Sequence, residues 1–176
     1  CDGFEGYFPF AHESGFNFPK NKVISFAKKV CASNSDKIFH NASYDMGWLG
    51  SEGIKVNGRI IDTLVVAPLI DENQYWYTLN ALGREYVNEG KTEAELNAAA
   101  EEWGLDPKAE MWRLPSAYVG TYATQDAALT LKLWNHFKTL IEEQNLWNIF
   151  DLEMEVLPVL YEMKKKGVRV DTERAE

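Results

Sequence analysis

Two short apolar runs, Lys37-Ile38-Phe39-His40 and Arg59-Ile60-Ile61, each lead straight into a helix-forming segment. That pattern constrains the fold more than any other feature. Each run suits a buried strand and is too short for a helix. The first should end at Asn41, with a helix starting near Ser43, passing Trp48 and stopping around Gly50 or Gly53. After the second, Asp62 is placed to cap a helix carrying Leu64, Val65, Val66 and Leu69. Strands alternating with helices, followed by helices alone, imply an α/β domain.

The remaining chain fits that frame. Tyr7-Phe8-Pro9-Phe10 reads as an edge strand or a strand end, because Pro9 cannot donate to a ladder. Val23, Phe26, Ala27 and Val30 recur at helical spacing over residues 20–32, with Lys28 and Lys29 where cations suit a helix end. The middle, from about Asn73 to Ser116, is polar and interrupted. Within it, Thr78 to Tyr86 and Glu93 to Trp103 read as helices, the second ended by Asp106-Pro107. Leu129, Leu133, Trp134, Phe137, Leu140 and Ile141 then form one apolar helix face. A last helix is expected from about Leu152 to Lys166, with Gly167 just past it.

Composition bounds the function. The 176 residues suffice for one ordinary domain with a real core. At 45% hydrophobic and 26% charged, the chain is of soluble globular type. The net charge of −9 argues against gripping a nucleic acid by bulk positive charge. It leaves room for an enzyme whose neutralising charge is a bound metal. No apolar run reaches the ~18 residues of a membrane span, and no basic-then-apolar leader opens the sequence. Cys1 and Cys31 make no disulfide framework, so a reducing, cytoplasmic setting is expected.

Two acidic clusters carry the candidate chemistry. His40-Asn41-Ala42-Ser43-Tyr44-Asp45 puts a carboxylate at the carboxyl end of a strand, where α/β proteins place ligand sites. In Tyr122-Ala123-Thr124-Gln125-Asp126, a helix would set Tyr122 and Asp126 on one face. The carboxylate there can take a hard divalent cation, and the phenol can orient a water or a phosphate oxygen. Singly, these signals are weak. With eight Tyr in the chain, Tyr-x-x-x-Asp is expected by chance roughly 0.4 times. Alone, Asp45 would read as a helix-start residue and Asp126 as a solvated one.

Taken together and in this order, Asn41-Ala42-Ser43-Tyr44-Asp45 and Tyr122-Ala123-Thr124-Gln125-Asp126 resemble the second and third motifs of the DnaQ-like (DEDD, Tyr subtype) 3′–5′ exonucleases. Their separation suits the proofreading domain of family A DNA polymerases. Ile61-Asp62-Thr63 resembles the strand-to-helix step between those motifs. Residues from Glu153 to Asp171 resemble the segment that joins such an exonuclease to the polymerase thumb. Gly6 to Gly15 looks like phage versions. The family's first motif, Asp-x-Glu on an opening strand, is not found ahead of Asn41. Asp151-Leu152-Glu153 and Asp171-Thr172-Glu173 follow the third motif and read as decoys. With no initiator Met, the expectation is a chain truncated at its N-terminus.

The resemblance implies a ribonuclease H-like three-layer fold lacking its first strands, with residues 1–150 as exonuclease and 151–176 starting the connection to a polymerase. It implies two divalent ions, Mg²⁺ or Mn²⁺, and a DNA 3′ end, single-stranded or frayed, as substrate. Asp126 would ligate the nucleophile-side metal and Asp45 the second. Tyr122 would orient the attacking water or the phosphate, and Asn41 would contact the substrate. Asp62 is read mainly as a cap, and His40 as structural, because Tyr122 occupies the place a catalytic histidine would take. His12 and His136 have no nameable partner. Trp48, Tyr75, Trp76 and Tyr77 are candidates for stacking on bases, although the expectation for each is a place in the core. Two other readings stand beside this one. One is an inactive DNA-binding platform of the same fold, and the other is a stand-alone RNase D-like enzyme. With half of the implied ligands absent, the chain by itself is expected to be inactive or nearly so.

Overall fold

The computed structural model describes residues 3–90 and 93–175. Helix α1 (Lys20–Ala32) leads into strand β1 (Lys37–Phe39), helix α2 (Ala42–Ser51), strand β2 (Ile60–Asp62) and helix α3 (Thr63–Ile70). Helices α4 (Leu79–Val87) and α5 (Ala94–Trp103) follow, then a 3₁₀ turn at Met111–Arg113. The long α6 (Ser116–Glu143), α7 (Trp147–Lys166) and the short α8 (Thr172–Ala175) complete the order.

The two strands pair in parallel, with Lys37 opposite Ile60, Ile38 opposite Ile61 and Phe39 opposite Asp62. Parallel neighbours need a crossover, and α2 supplies it. Both strands are buried or nearly so, and helices pack against them: α6 on β1, and α7 on β2. The apolar face expected of residues 129–141 is the spine of the core. Leu129, Leu133, Trp134, Phe137 and Ile141 are buried on α6, with Leu140 half-buried beside them. They meet Ile60, Ile61 and Val66 from the β2–α3 unit and Phe150, Met154 and Leu157 from α7. A second, smaller cluster joins Leu96, Ala99 and Ala100 of α5 to Leu114 and Val119.

Three expectations need correction. Tyr7-Phe8-Pro9-Phe10 is not a strand. Among the described residues no strand lies alongside to complete its hydrogen bonds, so its rings organise a loop instead. Phe8 packs on Phe26 of α1 with ring centres 4.9 Å apart, and Phe18 N–H donates to the Pro9 carbonyl at 2.7 Å. The last long helix begins at Trp147 rather than Leu152, because Phe150 is needed in the core, where it stacks on Trp134. His12 does have partners: Nδ1 lies 2.8 Å from the Leu114 carbonyl, and Nε2 meets the Tyr7 hydroxyl. His136 packs its ring against Tyr86. Among the described residues no helix is long and apolar enough to cross a membrane.

Gly83 lies where α4 packs against α6. A β-carbon there would fall 2.5 Å from the Glu89 carbonyl oxygen and 2.9 Å from a Leu129 methyl. Gly47, inside α2, has open space at the same position. Gly83→Ala should therefore destabilise the domain by about 1–3 kcal/mol through overpacking. Gly47→Ala should instead stabilise it by about 0.5–1 kcal/mol through helix propensity. Thermal melts of the two variants should move in opposite directions. Equal shifts would contradict this account of the α4–α6 contact.

Candidate functional site

The site begins with Asp62, the last residue of β2 and 3% exposed. As the sequence suggests, it caps α3: Oδ1 accepts the Leu64 N–H at 3.0 Å. It also does something no local pattern announces. Oδ1 accepts the Asn41 N–H at 2.8 Å and Oδ2 the Ala42 N–H at 2.7 Å, both at the start of α2. The first N–H groups of a helix have no partner within it, and a carboxylate at that end also answers the helix dipole. One side chain thus ties two helix starts to the carboxyl end of the sheet.

Asn41 enters α2 in the left-handed conformation, with φ 75° and ψ 56°. Asparagine tolerates that region better than most residues. The turn lets the successive N–H groups of residues 41 and 42 reach the same carboxylate. Beside it, His40 Nδ1 lies 3.0 Å from the Thr63 hydroxyl, which itself donates to the Phe39 carbonyl. That places His40 in the framework between the strand ends.

Asp45 follows in the first turn of α2, half-buried. Burial, and then the negative charge of Asp62, push its carboxyl up from the ordinary 3.8 to about 6. Tyr122 and Asp126 lie one turn apart on α6, the helix packed against β1. The Tyr122 ring rests on the small cluster of Leu96, Ala99, Leu114 and Val119. Oδ1 of Asp126 is buried, and its carbonyl accepts the Thr130 hydroxyl at 2.8 Å. The two later Asp-x-Glu triplets lie elsewhere. Asp151 pairs with Arg59, and Asp171 accepts the Arg174 N–H, both at exposed positions.

The chemistry of this donor set can be weighed directly. Asp45 and Asp126 offer hard oxygen ligands of the kind Mg²⁺ and Mn²⁺ take. Asp62 is already engaged by three N–H groups. Among the described residues no three or more His, Cys, Asp or Glu side chains gather in one group. These residues therefore fit part of a coordination shell and not a closed one.

The candidate stacking residues separate clearly. Tyr77 packs against the main core, and its hydroxyl donates to the Asp71 carbonyl. Trp48, Tyr75 and Trp76 are not core residues: they are 65%, 86% and 63% exposed. No periodic signal in the sequence marks them as exposed.

Residues 7–142 match the family model described as 3′–5′ exonuclease. The chain is 35% identical to a DNA-directed DNA polymerase of Pseudomonas phage M6, over 99% of this chain and 27% of that protein. It is 31% identical to the DNA polymerase DpoZ of Vibrio phage phiVC8, over 99% of the chain and 29% of that protein. A DNA polymerase I of Chloroflexus aurantiacus is 26% identical over 95% of the chain and 18% of its own length. The chain thus spans well under a third of each of these relatives.

Two measurements probe this geometry. Asp62→Ala strands three N–H groups and should lower unfolding free energy by about 3 kcal/mol, read from the urea midpoint. A loss below about 1 kcal/mol would mean that water replaces the carboxylate. Asp45 acts in the opposite sense. Its raised carboxyl binds a proton more readily folded than unfolded, so its contribution is full below about pH 4 and lost as pH rises through about 6. Allowing for solvent screening of a half-exposed group, Asp45→Asn should stabilise the fold by about 1 kcal/mol at pH 7.5. At pH 3.5 the same substitution should change the melting temperature little.

Proposed function

Because this chain belongs to the 3′–5′ exonuclease family of family A DNA polymerases, we propose that it is the proofreading part of a longer DNA polymerase and hydrolyses the terminal phosphodiester at a DNA 3′ end. On this reading the parallel strand pair and its helices belong to a ribonuclease H-like three-layer fold. Residues 1–150 form the exonuclease, and the chain from residue 151 leads toward a polymerase domain in the cytoplasm of a bacterial or phage-infected cell. The relatives compared are polymerases, which favours neither a stand-alone ribonuclease nor an inert platform.

The observation that carries the proposal is Asp45, a half-buried carboxylate made reluctant to ionise by its surroundings, placed in the first turn of α2. Like charges crowded in this way are relieved by a cation. Asp126 and Asp45 would hold divalent ions. When bound, two such ions lower the pKa of an attacking water and stabilise the leaving oxygen. Tyr122, one turn from Asp126, would orient that water or the scissile phosphate through its hydroxyl. Asn41, exposed at the mouth of α2, would contact the terminal nucleotide.

Two readouts test this. In the polymerase that carries the domain, Asp45→Ala and Asp126→Ala should each lower 3′ excision by roughly 10²-fold or more, with polymerisation intact. Retained excision would overturn the assignment. For the 176-residue chain alone, Mn²⁺ should raise the melting temperature of the wild type at pH 7.5 and leave Asp45→Asn unmoved. Because no third ligand gathers among the described residues, this chain alone should digest single-stranded DNA very slowly. Rapid digestion dependent on Asp126 would contradict that expectation.

A further inference from the structure

Helix α6 carries Tyr122 and Asp126 between two anchors. From Leu129 to Ile141 its buried apolar side chains lie in the main core. Toward its start Ser116 and Val119 are buried, and no residue from 120 to 128 is. At about 1.5 Å per residue, Tyr122 is about 10 Å along the axis from Leu129, the first α6 residue in the main core. A rigid rod is placed by its anchored ends, so the setting of Tyr122 depends on what holds the start of the helix. No side chain caps that start, which follows Pro115.

A strap from far away in the sequence holds it. The Glu13 N–H donates to the Trp112 carbonyl at 2.9 Å, the Ser14 hydroxyl to the Arg113 carbonyl at 3.1 Å, and the Ser116 hydroxyl to the Phe16 carbonyl at 2.7 Å. Gly15, at φ 83°, permits the close approach: a β-carbon there would fall 3.0 Å from the Ser116 nitrogen. His12 connects this strap to the site. Its Nδ1 lies 2.8 Å from the carbonyl of buried Leu114, and a carbonyl only accepts, so Nδ1 carries the proton. In the neutral ring Nε2 then accepts the Tyr7 hydroxyl. Asn17 fixes the His12 backbone, accepting its N–H and donating to its carbonyl, both at 2.9 Å. Tyr7 and Tyr122 pack on the same small apolar cluster, and a β-carbon on Gly120 would fall 3.2 Å from the Tyr7 ring. His12 thereby fastens Tyr7 against α6 two residues before Tyr122.

We propose that His12 is a positioning residue for Tyr122, acting through the Tyr7 hydroxyl and the Leu114 carbonyl. This rests on the exonuclease reading and adds to it a residue far from both acidic motifs. By fixing the start of α6, the pair sets where the Tyr122 hydroxyl stands relative to α2. A displacement of about 1 Å in a group that orients reacting atoms can cost about 10²-fold in rate. On this assignment His12 acts only through its neighbours.

The test separates positioning from folding. In the polymerase that carries the domain, at saturating Mg²⁺ and below the melting transition, His12→Ala should lower kcat for excision of single-stranded DNA by about 10-fold, with KM and polymerisation unchanged. His12→Asn keeps a donor near the Nδ1 position and should recover most of that loss. Tyr7→Phe keeps the ring on Gly120 and should cost about 3-fold. In NMR spectra of the 176-residue chain with isotope-labelled tyrosine rings, the Tyr122 resonance, assigned through Tyr122→Phe, should shift in His12→Ala and return in His12→Asn. A wild-type kcat or an unmoved Tyr122 resonance in His12→Ala would overturn the proposal, as would a loss confined to KM or one that His12→Asn leaves in place. Should His12→Ala fail to fold, Tyr7→Phe decides, and a wild-type kcat there overturns it. If Asp126→Ala stops excision while His12→Ala excises like wild type, this inference fails and the exonuclease reading stands. If Asp126→Ala excises normally, the exonuclease reading fails whatever His12 does.

Discussion

A single buried carboxylate sets the geometry on which the rest of the site depends. Asp62 stands at the end of β2, opposite Phe39 in the parallel pair, and receives N–H groups from residues 41, 42 and 64. Two three-residue strands are a weak platform by themselves. Cross-linking their carboxyl ends to the starts of α2 and α3 turns them into a fixed origin from which both helices depart. Asp45 is one turn from that origin, so its position relative to the sheet is as well defined as the hydrogen bonds that hold residues 41 and 42.

The same group has an electrostatic consequence. Three N–H groups converge on this buried carboxylate and satisfy both of its oxygens. Nearby, the Asp45 carboxyl is pushed up first by its burial and second by Asp62. The structural keystone therefore sits beside a second carboxylate that holds its proton to a higher pH than an ordinary aspartate.

What was legible in the sequence follows what is local. Helix α1 and the α3 start at Asp62 are readable because periodicity and caps lie within a few residues of each other. The apolar face of α6 is readable for the same reason. The start of α7 is not, because Leu146 offers no capping side chain and the need for Phe150 arises from Trp134, on another helix. Tyr7 to Phe10 has strand composition, yet a strand exists only where another backbone lies alongside. At the site, the cap on Leu64 is a two-residue pattern, whereas the bonds to Asn41 and Ala42 span about twenty residues and leave no mark in the sequence. Aromatic content likewise cannot say which rings stay outside: Tyr77 and Trp76 are neighbours with opposite fates.

An acidic protein that acts on a polyanion has to separate recognition from neutralisation. In this chain some cations brace the fold, as where Arg59 pairs with Asp151 while lying 4.6 Å from the centre of the Phe150 ring. Removing phosphate contacts from recognition has a chemical merit. Tight backbone grip would hold paired and unpaired ends alike, since both present the same phosphates. Recognition through base faces distinguishes them, because only an end that has left its partner strand exposes those faces.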